Sequence, residues 1–157
     1  MTAYLETFTL VFALALFLGG GAFWAFVAAP AIFSLSPSRE VASRLAAAMT
    51  GRFDRIGQGC LFAIGGIELL RVTERANQAE LLRGALASAM LALGFYAILA
   101  IRPAIARQRA ATSLEPPDDG SPNPSRRALG RLHGQAYLCL LGQLTAGALL
   151  LALVVMP

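Results

Sequence analysis

The chain has 157 residues, 57% of them hydrophobic and only 14% charged, against about 25% charged in a typical soluble domain. Mean hydropathy is +0.63, which excludes a soluble single-domain fold, because a chain this short has too little interior to hide so much apolar surface. The net charge is +4 and all thirteen basic residues are arginine; they lie between apolar runs rather than on a separate basic module, which is the loop pattern of a membrane protein and not that of a nucleic-acid binder.

Residues 9–29 form the first apolar run. Its 21 uncharged residues suffice to cross a hydrocarbon core about 30 Å thick. The ten residues from Met1 to Leu10 hold no basic side chain, only Glu6. The positive region of a cleavable signal peptide is therefore missing, and the run reads as a retained transmembrane helix. Gly19, Gly20 and Gly21 lie inside it beside Phe23 and Trp24; they permit close helix packing or a local break, and packing is the plainer reading. Pro30 marks its end or a kink.

The connector after it opens with Leu35-Ser36-Pro37-Ser38, a turn signal, and Ser38 is a suitable N-cap. From Arg39 to Met49, Val41, Leu45 and Ala48 share one helical face while Arg39 and Arg44 leave it. That pattern predicts a short amphipathic helix lying at the membrane surface. The second span is 53–70, with Asp54 and Arg55 at one interface and Glu68 near the other. Asp54 and Glu68 are 14 residues apart, so they share a face but stand about 21 Å apart and cannot act as an acid–base pair. Asp54 is expected to pair with an interfacial arginine. Glu68 is an ionisable residue at the edge of a span, a functional candidate by position, and Arg71 and Arg75 are its ordinary structural partners. Gly65-Gly66 reads as helix packing.

Residues 71–80 read as a polar loop and 81–101 as the third span, with Arg83 near its start and Gly84, Ser88 and Ala92 on a small-residue face. Pro103 closes it. The next connector is the longest; its centre, about 110–126, is rich in proline, serine and acid and is expected to be flexible. The fourth span is 135–155. His133, the single histidine, sits at its mouth, one turn before Tyr137. It reads either as a proton carrier or single metal ligand, or, more plainly, as an interfacial histidine held by a carbonyl or by headgroups. One histidine excludes haem held by two histidines of one chain. Gln135, Cys139, Gln143 and Gly147 recur every four residues. This stripe lines a polar path or, with Cys60, a soft-metal site, or else it makes a packing seam; the seam is the plainer reading. His133 and Cys139 are six residues apart and point in different directions. Cys60 and Cys139 both lie in apolar runs and read first as small core residues, not as a disulfide framework.

Ten arginines fall in the first and third connectors and three near the second. The positive-inside rule places connectors one and three in the cytoplasm and both termini outside. Two short matches hint at an internal repeat: Ala29-Pro30-Ala31-Ile32 with Arg102-Pro103-Ala104-Ile105, and Arg55-Ile56-Gly57-Gln58 with Arg131-Leu132-His133-Gly134-Gln135. Paired halves of this kind build many transporters, although Pro-Ala-Ile is a short match in an alanine-rich chain. The common catalytic signatures are absent, so no enzyme activity and no cofactor are expected.

Four stretches together resemble one family: residues 18–33 (Leu-Gly-Gly-Gly-Ala-Phe-Trp through Pro30-Ala31-Ile32-Phe33), 39–53, Arg102-Pro103-Ala104-Ile105 and Arg131-Leu132-His133-Gly134. They resemble the bacterial domain-of-unknown-function 4149 family, relatives of the eukaryotic transmembrane protein 205. The resemblance implies a four-helix membrane protein of no established activity. Its eukaryotic relatives are linked to resistance to metal-containing drugs, and copper-resistance membrane proteins have a similar glycine-rich first helix, which turns attention to metal handling. The chain departs from the pattern after His133, carrying Cys139-Leu140 where an asparagine is implied. The expectation is thus an all-α, polytopic, single-domain bundle of four transmembrane helices in a bacterial inner membrane. It either handles a small ion or metal through Glu68, Gln135, Gln143, Tyr137, His133, Cys60 and Cys139, or serves as an accessory subunit. Its partners are the lipid bilayer and a second copy or a larger membrane protein.

Overall fold

Backbone in hydrocarbon must close its hydrogen bonds within each segment, and uninterrupted apolar runs do so as helices. The computed structural model describes residues 2–75, 77–111 and 124–156, and every element among them is helical. The chain runs down through α1 (Thr2–Phe23), a π-turn (Trp24–Ala28) and α2 (Ala29–Leu35) and returns up α3 (Arg39–Glu74). It descends again through α4 (Gln78–Tyr96), a second π-turn (Ala97–Ile101) and α5 (Arg102–Ala111), and rises along α6 (Pro124–Val155). Four rods, Tyr4–Leu35, Glu40–Glu74, Gln78–Ala110 and Arg127–Val155, are long and apolar enough to cross a membrane. Each contains one of the four expected spans. Of the segment expected to be flexible, 112–123 lie outside the described residues, and its flanks belong to α5 and α6.

Two expectations need correction. The surface helix over 39–49 is not a separate element but the first turns of the 36-residue α3. Ser38 caps it as expected, accepting from the Val41 amide at 3.3 Å. No proline follows to break the helix, and Gly51 alone costs too little to end it. Val41 and Leu45 are exposed; the side chain that turns inward is Ala42, 1% exposed. The polar loop over 71–80 is also shorter than read. Helix α3 continues to Glu74 and α4 starts at Gln78, where the Asn77 side chain accepts from the Glu80 amide at 2.9 Å. An Asn followed three residues later by Glu is an N-terminal cap signature.

The two π-turns have one cause. Proline lacks an N–H, and its ring collides with the carbonyl four residues back. Before Pro30 and before Pro103 the helix widens by one residue, so the Ala29 amide donates to Trp24 O and the Arg102 amide to Ala97 O. Pro30 and Pro103 are 73 residues apart. The same displacement relates the buried positions of the two rods: Leu14 to Ala87, Phe17 to Met90, Gly21 to Gly94, Ala28 to Ile101 and Ile32 to Ile105. The first rod of each half therefore repeats at these positions and at its π-turn, though Ala13 and Ala25 are buried where Leu86 and Ile98 are only partly so. The second sequence match does not, since Gly57 is buried and Gly134 exposed.

The four rods form a square. Helix α1 packs on α3 and α6, α4 packs on the same two, and among the described residues neither diagonal pair touches. Leu10, Leu14, Phe17, Ile64, Met90 and Leu150 fill the centre. Large apolar side chains such as Phe8, Phe12, Phe62 and Leu99 point outward, as a lipid-facing surface requires. Inside, glycines let backbones meet. A Cβ on Gly94 would stand 2.8 Å from Leu61 Cδ1, and one on Gly21 2.8 Å from Leu144 Cδ2. The two glycines stand at corresponding positions of the first and third rods. At Gly65 a Cβ would overlap Leu91 of α4, whereas Gly66 meets nothing within 4 Å. Replacing Gly65 with leucine should lower stability in detergent by about 1–3 kcal/mol through overpacking. Gly66→Ala should be neutral or slightly stabilising through helix propensity. Thermal unfolding of the two variants decides the matter; equal losses would contradict this packing.

Candidate functional site

The α3–α4 connection marks the upper end of the bundle and the α2–α3 connection the lower end. Along α3, Cys60, Ile64 and Glu68 follow at intervals of four and lie on one face. Cys60 and Ile64 belong to the central core, so the helix carries Glu68 into the same interior, where it is 0% exposed. Neither of its carboxylate oxygens has a hydrogen-bond partner. Arg71 Nη1 stands 3.6 Å from Glu68 Oε1, within range of an ion pair but too long for a hydrogen bond. The charges of Arg71, Glu80 and Arg83 all act on it.

All four rods meet around this carboxylate. Arg71 Nη2 donates to Thr7 Oγ1 of α1 at 2.8 Å, tying α3 to α1. Glu80, set in the first turn of α4 by its Asn77 cap, pairs with Arg83 Nη1 at 3.3 Å and leaves its Oε2 without a partner. Arg83 also donates through Nη2 to the Leu153 carbonyl of α6. Above them opens a cavity of about 200 Å³. Its charged lining is Glu6, Glu74 and Glu80 with Arg71, Arg75 and Arg83, so the lining balances and Glu68 adds one further negative charge. Of these groups the sequence singled out Glu68 with Arg71 and Arg75 as its partners, and the ion pair is made with Arg71. Glu80 and Arg83 were missed, and the Asn77–Glu80 spacing was the signal that could have placed them on a helix.

The other expected site residues lie elsewhere. Gln143 is buried, and its Nε2 donates to the Met90 carbonyl at 3.0 Å, an interhelical clasp at mid-bundle. Gly147 is buried against Leu18 and Met90. Cys139 is buried in a lower cluster with Ile101 and Ile105, whereas Cys60 sits in the central core. Gln135, Tyr137 and His133 are exposed. The stripe on α6 is thus a seam at Cys139, Gln143 and Gly147, and Gln135 falls outside it. The structure does not gather Cys60, Cys139 and His133, and among the described residues no three His, Cys, Asp or Glu side chains are placed to hold a metal ion. At the lower end Asp54 accepts from Arg102 Nη2 at 2.9 Å, the interfacial arginine pairing expected for it.

A family model described as a domain of unknown function (DUF4149) matches residues 12–112, the first three rods with their glycine-rich start, both π-turns and Glu68. No curated protein and no solved structure matches the chain. With nearly two thirds of its length covered by that model, the chain belongs to the DUF4149 family.

Proposed function

We propose that this chain is a bacterial inner-membrane protein that binds a small cation, a proton included, at Glu68 from the non-cytoplasmic side. The observation that carries the reading is the Glu68 carboxylate: fully enclosed, without a hydrogen bond and in excess of the balancing arginines. Burying a charge costs several kcal/mol unless it is paired and hydrogen-bonded. A bound cation beside Glu68 supplies the missing compensation, and the charged cavity above is its route of entry. Below Glu68 the interior is closed by Ile64, Met90 and Leu14, so the site takes up and releases its ion on one side. The orientation is supported by the arginine bias, ten at the lower end or its connectors against three at the upper.

A second reading, an accessory subunit, is favoured by glycines on the outside of α3. Gly59 and Gly66 are exposed with nothing within 4 Å of an added Cβ, and such positions admit a neighbouring helix closely.

Orientation is tested with Cys60 and Cys139 replaced by alanine and a new cysteine introduced at an exposed site. An impermeant maleimide should label Thr73→Cys in intact cells and Arg44→Cys only after the membrane is opened; the reverse pattern overturns the assignment. For the ion site, Glu68→Gln removes the charge and keeps the shape. Without added sodium or lithium, at alkaline pH, the variant should unfold at a higher temperature than the wild type. Adding either cation, but not choline at equal ionic strength, should then stabilise the wild type alone. The opposite sign, a Gln variant weaker by about 3–5 kcal/mol under all conditions, is the mark of a satisfied buried ion pair broken by the change, and would remove the basis of the proposal. Infrared difference spectra between acid and alkaline buffer identify a proton as the cation if a carboxylic-acid band disappears in the Gln variant.

A further inference from the structure

The lower end holds a second group of charged side chains that the Glu68 reading does not use. Ile101 and Ile105 of the second π-turn and α5 pack with Cys139 of α6, with Leu129, Leu132 and Ala136 against them. This contact brings one face of α5 onto α6. Arg102 and Arg109 are seven residues apart and lie on a single face of the rod, with Ile105 between them. His133 follows Leu132 on α6, close enough that the charges of both arginines act on it. Among the described residues, Asp54 is the one carboxylate paired with this group, and it accepts from Nη2 of Arg102. The Nε atoms of Arg102 and Arg109 are enclosed and have no hydrogen-bond acceptor. Two guanidinium groups with unmet Nε donors and the neighbouring His133 imidazole thus share, among the described residues, a single carboxylate.

Their depth in the bilayer points to what could supply those acceptors. The apolar run of α6 from 135 to 155 spans the hydrocarbon, about 30 Å at 1.5 Å per residue. His133 lies two residues beyond it, about 3 Å into the interfacial layer. Arg102 directly follows the apolar stretch ending at Ile101, and Arg109 stands about 10 Å further along the helix. The headgroup layer is about 5–8 Å thick on each side of the hydrocarbon, so Arg102 and His133 sit within it and the long Arg109 side chain reaches back to its outer edge. Phosphate oxygens are the acceptors available at that depth. Arginine binds them through paired N–H donors, and basic pockets between transmembrane helices hold acidic headgroups in this way.

We infer that Arg102, Arg109 and His133 form a binding site for the phosphate of an anionic phospholipid, seated between α5 and α6. The site is independent of the cation reading of Glu68, which lies at the opposite end of the bundle. The lipid completes the hydrogen bonding of two guanidinium groups and pins α5, the short helix beyond the second π-turn, to α6. Arg44 carries the same charge near the same face of the membrane, but it is paired with Glu40 at 2.5 Å and does not belong to the site.

The test uses the full chain in a neutral detergent, with phosphatidylglycerol, phosphatidylcholine or inorganic phosphate added, read by thermal unfolding and by native mass spectrometry. Phosphatidylglycerol should raise the unfolding midpoint and remain bound as one lipid per chain, at least about tenfold more tightly than phosphatidylcholine, the difference that one charge-assisted contact makes. Arg109→Gln and His133→Gln should each lose most of that preference, and Arg44→Gln should keep it. Both site variants must match the wild type in midpoint with phosphatidylcholine alone, which separates lost binding from lost folding; if one fails this check the other decides. Equal retention of the two lipids, or a preference untouched by the site variants, overturns the inference. Stabilisation by inorganic phosphate to the same extent as by the lipid replaces the headgroup with a soluble anion and overturns it as well.

Discussion

Helices in hydrocarbon have little hydrophobic reason to associate, because lipid tails are as apolar as leucine. What holds them is contact close enough for dispersion to accumulate, and that depends on how near two backbones can come. In this chain the approach is set by glycines that face side chains of the neighbouring rod: Gly65 against Leu91, Gly94 against Leu61, Gly21 against Leu144 and Gly147 against Leu18. Each leucine fills the place a Cβ would take. The square arrangement follows, since every such contact joins neighbours around the bundle. The Gln143 clasp on the Met90 carbonyl adds a polar bond in surroundings where no water competes for it.

The internal repeat shows how strongly one local constraint shapes a rod. A proline at the same relative position forces a π-turn in each half, and the extra residue shifts the helical face below it. Positions above and below the turn keep their burial at a constant displacement of 73 residues only because both rods carry the same insertion. At the upper end the correspondence breaks. Thr7 and Leu10 in the first rod stand where Glu80 and Arg83 stand in the other. The charged site is therefore built from one half's departure from the other, with Thr7 kept as an acceptor for Arg71.

The sequence showed the architecture more clearly than the site. Four apolar runs of bilayer length, two of them free of charge, pointed to a bundle of spanning helices, and the pairing of Asp54 with an interfacial arginine followed from its position at a membrane interface. Helix ends were harder to place, because apolar content marks where a helix crosses lipid and says little about how far it continues into water. Hence α3 absorbed the expected surface helix, and the Asn77 cap shortened the expected loop. Glu68 was legible as a candidate at the edge of a span, but its full burial was not, because that depends on the neighbouring rods that complete the enclosure. Glu80 and Arg83 come from another rod and meet Glu68 only through folding. Helical geometry already set His133 and Cys139 in different directions, and the packing separates Cys60 as well, dividing the three between the central core, the lower cluster and the surface.

The charged groups occupy the two ends of the bundle, and the interior between them is apolar apart from the buried Gln143 amide. Leu14, Phe17, Ile64 and Met90 lie between Glu68 and the lower arginines. An ion crossing that interval would leave its polar partners for hydrocarbon-like surroundings, a step costing far more than thermal energy. In this conformation each end therefore acts on its own side of the membrane. Movement of an ion from one side to the other would require the rods to part along the Gly65–Leu91 and Gly94–Leu61 contacts, the very places where the helices are held closest. Those contacts set both the stability of the bundle and the resistance to any opening between its two ends.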